Sequence, residues 1–161
     1  MDFLIFSDSH GRRKAMETVM ARQIKKPDAV FFLGDGIRDI DDRIDGVPVI
    51  RVRGNCDWNV GNAQAVPEEE AVCFEGHRIF LTHGHRYGVK SGTGGLLRAA
   101  REREAEIVLF GHTHRQTEES VPIDADPEKR IVLFNPGSIA QGEFGTLTLL
   151  PKAILFSHGM L

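Results

Sequence analysis

The feature that most constrains this chain is a repeated ending. Five short apolar runs each give way to residues able to bind a metal, mostly beside glycine. Phe3 to Phe6 leads to Asp8-Ser9-His10, and Ala29 to Leu33 leads to Gly34-Asp35-Gly36. Val47 to Val52 leads to Gly54-Asn55-Cys56-Asp57. Arg78 to Leu81 leads to Thr82-His83-Gly84-His85, and Ile107 to Phe110 to Gly111-His112-Thr113-His114. Short runs rich in Val, Ile and Phe read as strands. In open α/β sheets, ligands gather outside the carboxyl ends of the strands, so five such loops converge on one place.

Taken singly, each piece has an ordinary structural explanation. A strand-end aspartate is commonly a turn former, Gly-Asn is a turn, and H-x-H is a solvated pair. Five in succession, each at a strand end, point to one site instead. Five of the seven histidines fall in these loops, while His77 and His158 read as surface residues. Carboxylates, an amide oxygen and imidazoles suit Mn, Fe, Zn, Ni or Co. The absence of a C-x-x-C pair argues against a structural zinc site. Glycine suits loops that approach an ion closely or need positive φ.

The remaining chain reads as alternating elements. Met16, Val19, Met20 and Ile24 recur at helical spacing and predict a helix from about Arg13 to Lys25, stopped by Pro27. Residues 37–45 read as an acidic helical turn with Ile37, Ile40 and Ile44 inward. Glu70 to Phe74 and Arg78 to Leu81 form a hairpin turning at Glu75-Gly76. A second helix covers roughly Gly94 to Glu104, with Leu96, Leu97 and Ala100 inward and Ser91 or Thr93 as cap. The tail is β: Gln116 to Val121, Arg130 to Phe134, Thr146 to Leu150 and Ala153 to Ser157, the last pair joined at Pro151-Lys152. This order implies one layered α/β domain over residues 1–161, with helices outside.

A net charge of -3, from 23 acidic and 20 basic residues, gives no argument for nucleic acid or an anionic membrane. No run approaches the ~20 apolar residues of a spanning helix. Two cysteines make no disulfide framework and fit a reducing compartment, so a cytoplasmic setting is expected.

The blocks D-x-H, G-D, G-N-[HC]-[DE], H-G-H and G-H-x-H, all present in order from Asp8 to His114, resemble those of calcineurin-like metallophosphoesterases of the small YfcE-type phosphodiesterase group. Asn135-Pro136-Gly137-Ser138 is a further family-like feature. The resemblance implies two mixed β-sheets packed as a sandwich and flanked by helices. It also implies two divalent metal ions, manganese first, with nickel, iron, zinc or cobalt as alternatives. Asp8, His10 and His114 would hold the first metal, and Asn55, His83 and His112 the second, with Asp35 bridging. By that resemblance the two imidazoles of H-x-H serve different metals.

The implied activity is hydrolysis of small or nucleotide-like phosphodiesters by a metal-bridging hydroxide, with no protein nucleophile. Asp35, Asn55 and His85 are the expected catalytic residues. His85 either protonates the leaving group or orders the site. Asp57 reads as a carboxylate orienting a histidine or as a loop aspartate, and Arg53 and Arg86 as solvated arginines beside the site. Two departures stand out. Cys56 occupies the position where many relatives carry a proton-donating histidine, and beside two cations it would tend towards thiolate. The segment after Ser138 lacks the Pro-Arg often found there, and with it a potential anion-binding arginine. A phosphomonoesterase or a non-catalytic scaffold of this fold is the alternative. No nucleic-acid polymer or membrane partner is expected; self-association is an expectation from analogy.

Overall fold

Alternation within the first apolar run sets the layering. In the computed structural model, which describes residues 1–59, 61, 65–123 and 126–161, strand β1 spans Asp2–Phe6. Phe3 and Ile5 face one apolar layer, and Leu4 and Phe6 face another. All four are buried, which is why the run is continuously apolar instead of alternating with polar residues.

The chain continues through helix α1 (Arg13–Ala21), β2 (Ala29–Phe32), β3 (Arg43–Ile44), β4 (Val47–Arg51), β5 (Glu69–Phe74), β6 (His77–Thr82) and helix α2 (Gly94–Glu102). Then follow β7 (Ile107–Leu109), β8 (Gln116–Ile123), β9 (Asp126–Pro136), β10 (Glu143–Leu150) and β11 (Ala153–Met160). One sheet has the order β11-β10-β1-β2-β4-β3 and the other β5-β6-β7-β9-β8. Each has a parallel centre, β1-β2-β4 and β6-β7-β9, edged by antiparallel strands. The sheets meet over Phe3, Ile5, Phe31, Leu81, Leu109 and Phe134. α1 covers the outer face of the first sheet with Met16, Val19 and Met20. α2 covers the second with Leu96, Ala99 and Ala100. This is the expected sandwich of mixed sheets flanked by helices.

Several expectations are corrected. α1 ends at Ala21, and Ile24 is fully exposed instead of facing the core. The chain must return to β2, where Asp28 N donates to Asp2 O and Asp28 Oδ2 accepts from Asp2 N. Pro27 disfavours helix in the preceding residue, so no further turn fits. Residues 37–45 form only a 3₁₀ turn at Ile37–Asp39 followed by β3, although Ile37, Ile40 and Ile44 are buried as expected. Thr93 precedes α2 but does not cap it, because its hydroxyl donates to Glu119 at 3.0 Å. Leu97 is only partly buried, and Ala99 takes the inward place. His77 is not a free surface residue: its Nδ1 lies 2.9 Å from Glu106. His158 stacks on Phe134, its Nε2 2.9 Å from Asn135 O.

Candidate metal centre

The parallel strands of both sheets run the same way into one edge of the sandwich, and the loops that follow them carry the predicted ligands. Asp8 follows β1 and is fully buried. Its Oδ2 accepts hydrogen bonds from Ser7 Oγ at 2.5 Å and His112 N at 3.1 Å. Its Oδ1 is buried with no hydrogen-bond partner. Around that oxygen stand His114 Nε2 at 3.0 Å, His10 Nε2 at 3.8 Å and His83 Nε2 at 3.9 Å. His10 Nε2 and His114 Nε2 are 3.4 Å apart.

A second group lies against the first. Asp35 Oδ2 is 3.3 Å from His83 Nε2, and Asp35, His83 and His112 offer ligand atoms within 4.8 Å of one another. The Leu33 carbonyl accepts a 2.6 Å hydrogen bond from His83 Nδ1, so Nε2 faces the carboxylates. That Nε2 is also buried without a partner. Burial alone would lower the His83 pKa, but Asp35 and Asp8 outweigh it and raise it. Burial would likewise raise the Asp35 carboxyl, yet His83 and the Cys56 amide hold it well below the usual range. Two buried carboxylates thus demand positive charge where imidazole nitrogens converge, and a metal ion can supply it.

The spacings test that fit. Two atoms about 2.1 Å from one cation stand about 3.0–3.4 Å apart at right-angled to tetrahedral geometry. Three of four spacings within the two groups, 3.0, 3.4 and 3.3 Å, fall in that range, and His10 Nε2 to Asp8 Oδ1, at 3.8 Å, is wider. Backbone strain is concentrated here too. Among the described residues eight non-glycines have positive φ, and five of them are Asp8, His10, Asp35, His112 and His114. Such conformations persist where the surroundings over-determine them, and they cluster at functional sites.

Other expected residues take different places. Asn55 is exposed, and its amide reaches Cys56 Sγ at 3.5 Å. His85 starts a 3₁₀ turn after left-handed Gly84, so the backbone there is not extended. Its ring still comes within 5.6 Å of His83 and 6.2 Å of His112, centroid to centroid. Its Nδ1 is buried and unpartnered, and burial followed by the His83 charge lowers its pKa. Burial and the Asp35 carboxylate push the Cys56 thiol up to about 11, so the chain's own groups favour thiol, not thiolate.

Asp57 does not orient a histidine. Its carboxylate accepts from the backbone N–H groups of Asp35, Gly36, Ile37 and Gly54 at 2.8, 2.9, 3.1 and 2.8 Å. It ties the Asp35 loop to the Asn55 loop. Gly54 must be glycine, because a Cβ there would stand 2.1 Å from Asp35 Oδ1. Arg53 and Arg86 both pair with Glu68 instead of standing free in solvent.

Sequence reasoning missed the residues that brace these loops. Asn135 Nδ2 donates to Gly111 O and Thr113 Oγ1, and Ser138 Oγ donates to Asp8 O. The N-P-G-S block was the available signal for these two. Ser7 carried none, being a serine after a strand.

The calcineurin-like phosphoesterase superfamily domain matches residues 1–151. The chain is a calcineurin-like phosphoesterase. It is 30% identical over 140 residues to the probable metallophosphoesterase YsnB of Bacillus subtilis, covering 86% of this chain and 75% of that one. It is 34% identical over 96 residues to the phosphodiesterase YfcE of Escherichia coli, which covers 57% of this chain but only 45% of the relative. A predicted phosphoesterase of Streptococcus pneumoniae superposes with a TM-score of 0.75 at 27% identity, covering 99% of this chain and 88% of that one. A Vps29 variant from Entamoeba histolytica shares the fold alone, with a TM-score of 0.70 at 17% identity and coverage of 100% and 99%. No described helix of the phosphoesterase is long and apolar enough to cross a membrane.

Proposed function

We propose that this phosphoesterase is a dinuclear metal-dependent phosphodiesterase of small or nucleotide-like phosphodiesters. The observation that carries the reading is the pair of buried, unpartnered ligand atoms, Asp8 Oδ1 and His83 Nε2, at the junction of two ligand clusters. Both atoms face oppositely charged or imidazole neighbours at 3.0 and 3.3 Å without making a hydrogen bond, the arrangement of ligand atoms aimed at a common cation. Asp8, His10 and His114 would hold one cation, and Asp35, His83 and His112 the other, with Asn55 joining them once its exposed amide leaves Cys56 and Asp35 serving both. Manganese is the first candidate, and the O/N donor set also admits iron, zinc, nickel or cobalt.

Bound there, two divalent cations supply a water acidic enough to attack phosphorus at neutral pH and neutralise the phosphoryl oxygens. The chain's own residues do the rest. The Leu33 carbonyl sets the His83 tautomer, and Asp57 holds the Asp35 loop rigid. His85 flanks the second cluster, in place to give a proton to the departing oxygen or to order the site. Arg38, exposed beside His10, Gly36 and Cys56 in a cleft of about 250 Å³, is in reach of an incoming anionic ester. Two free cysteines, both exposed, accord with a cytoplasmic setting.

The test is a metal-by-substrate panel: bis(p-nitrophenyl) phosphate, p-nitrophenyl phosphate and cyclic nucleotides with each metal, for the wild type and Asp35→Asn. Diester turnover abolished in Asp35→Asn is expected. Faster turnover of the monoester would make the protein a phosphomonoesterase. Diester turnover equal in the two proteins at saturating metal would reject the proposed centre.

A further inference from the structure

A second cleft, of about 470 Å³, opens beside the metal centre. Its floor is Val89 and Phe110. Both lie under Gly84, since a Cβ on that glycine would meet Val89 at 3.1 Å and Phe110 at 3.6 Å. Gly84 separates His83 from His85. Its walls include Lys90, Thr93, Thr113, Arg115 and Thr117, and Thr113 separates His112 from His114. The cleft therefore adjoins the H-x-H loop directly and the other histidine-bearing loop through the packing of Val89 and Phe110 on Gly84. The volume falls within the ~300–1,000 Å³ of small-molecule sites.

The two ionisable residues in the lining of this cleft are both cations. The Lys90 ammonium and the Arg115 guanidinium, both exposed, have no acidic partner among the described residues. Arg53 and Arg86, by contrast, share one carboxylate, Glu68, at 3.4 and 2.6 Å. Glu119 lies outside the lining and accepts from Oγ1 of the lining residue Thr93 at 3.0 Å, a bond that leaves its negative charge in place. Because that hydroxyl is so engaged, no side chain caps α2, whose N-terminus starts at Gly94 next to the wall and adds partial positive charge.

We propose that this cleft is a substrate subsite for a second anionic group, a carboxylate or another phosphate, carried on the ester whose phosphoryl group sits at the metals. Lys90 and Arg115 are its specificity-determining residues. The proposal rests on the metal-centre reading above, and names the class of ester it selects.

Non-hydrolysable phosphonates separate the two. Calorimetry on the manganese-loaded protein compares alkylphosphonates ended by methyl, carboxylate or a second phosphonate, over two to four methylenes. The anion-ended member of the best length should bind about tenfold more tightly than its methyl-ended twin, the scale of one charge-assisted contact. That preference should weaken as salt is raised, because both cations are exposed. Lys90→Gln and Arg115→Gln should each lose more affinity for the anion-ended ligand than for the methyl-ended one, and the double variant should bind the twins alike. Whether carboxylate or phosphonate gives the larger preference identifies the natural group. A preference of one in the wild type, a preference that survives the double variant, or no binding by any phosphonate overturns the subsite. Methyl-ended binding that chelator leaves unchanged sinks the metal centre, while an anion preference that persists in chelator keeps the subsite.

Discussion

Asp57→Asn is the sharpest test of how the centre is built. The substitution preserves shape and removes one acceptor. In the wild type, Oδ2 accepts from Asp35 N and Gly54 N, each at 2.8 Å, and Oδ1 accepts from Gly36 N at 2.9 Å and Ile37 N at 3.1 Å. Whichever way the asparagine amide turns, its NH₂ faces two backbone N–H donors. Two charge-assisted bonds are lost, at roughly 1.5–3 kcal/mol each, about 3–6 kcal/mol together. Solvent cannot make up the loss, because Asp57 is only 2% exposed. Set against a typical total of about 5–15 kcal/mol, the loss is large. Urea unfolding in chelator measures it free of metal linkage. The expected result is a much lower midpoint at unchanged slope. Metal-restored samples should also bind manganese about 10–100-fold more weakly, as the Asp35 loop slackens. A stability loss under about 1 kcal/mol would show that the two loops hold themselves, and the bracing role of Asp57 would be wrong.

Gly54→Ala should cut manganese affinity at least about tenfold, because the new Cβ would stand 2.1 Å from Asp35 Oδ1 and 2.6 Å from Asp35 N; unchanged affinity by titration would mean the loops can separate freely. In the metal-free protein, burial first and then the His83 charge hold the His112 imidazole down to about 4, against about 6.5 unfolded. Its contribution is therefore present above about pH 6.5 and lost as pH falls towards 4, while His83, raised, contributes below about 6.5 and loses its share as pH climbs through its folded value. Thermal melts in chelator should show a flatter acid limb for His112→Asn, and an identical limb contradicts the assignment. Metal content, read separately, should drop below about pH 6.5 as imidazoles protonate. His85→Ala should slow alkyl esters at least about tenfold more than nitrophenyl esters if the ring is the acid; an equal loss assigns it to ordering the centre.

What the sequence determined by itself was local in origin. Apolar runs closed by glycine and a polar residue locate strand ends, and parallel strands collect their ends on one edge of a sheet. That was enough to read Asp8, Asp35, His83, His112 and His114 as neighbours, since strand periodicity and turn chemistry act over a few residues. Tertiary structure decided which atoms meet. His114 stands 3.4 Å from His10, 104 residues away, only because β1 and β7 belong to different sheets whose ends close over one another. Asp57 read as an aid to a histidine, yet it clamps backbone across two loops, which no spacing in the chain reveals. Ile24 matched the helical period and lies in solvent, because the need for Asp28 to lock against Asp2 ended the helix first. The cleft of Lys90 and Arg115 joins residues 25 apart in sequence from different loops, and its unpaired charge follows from which acids the packing places elsewhere. Periodicity reports which face is apolar; register and sheet packing decide what that face, and the loops at its end, are brought against.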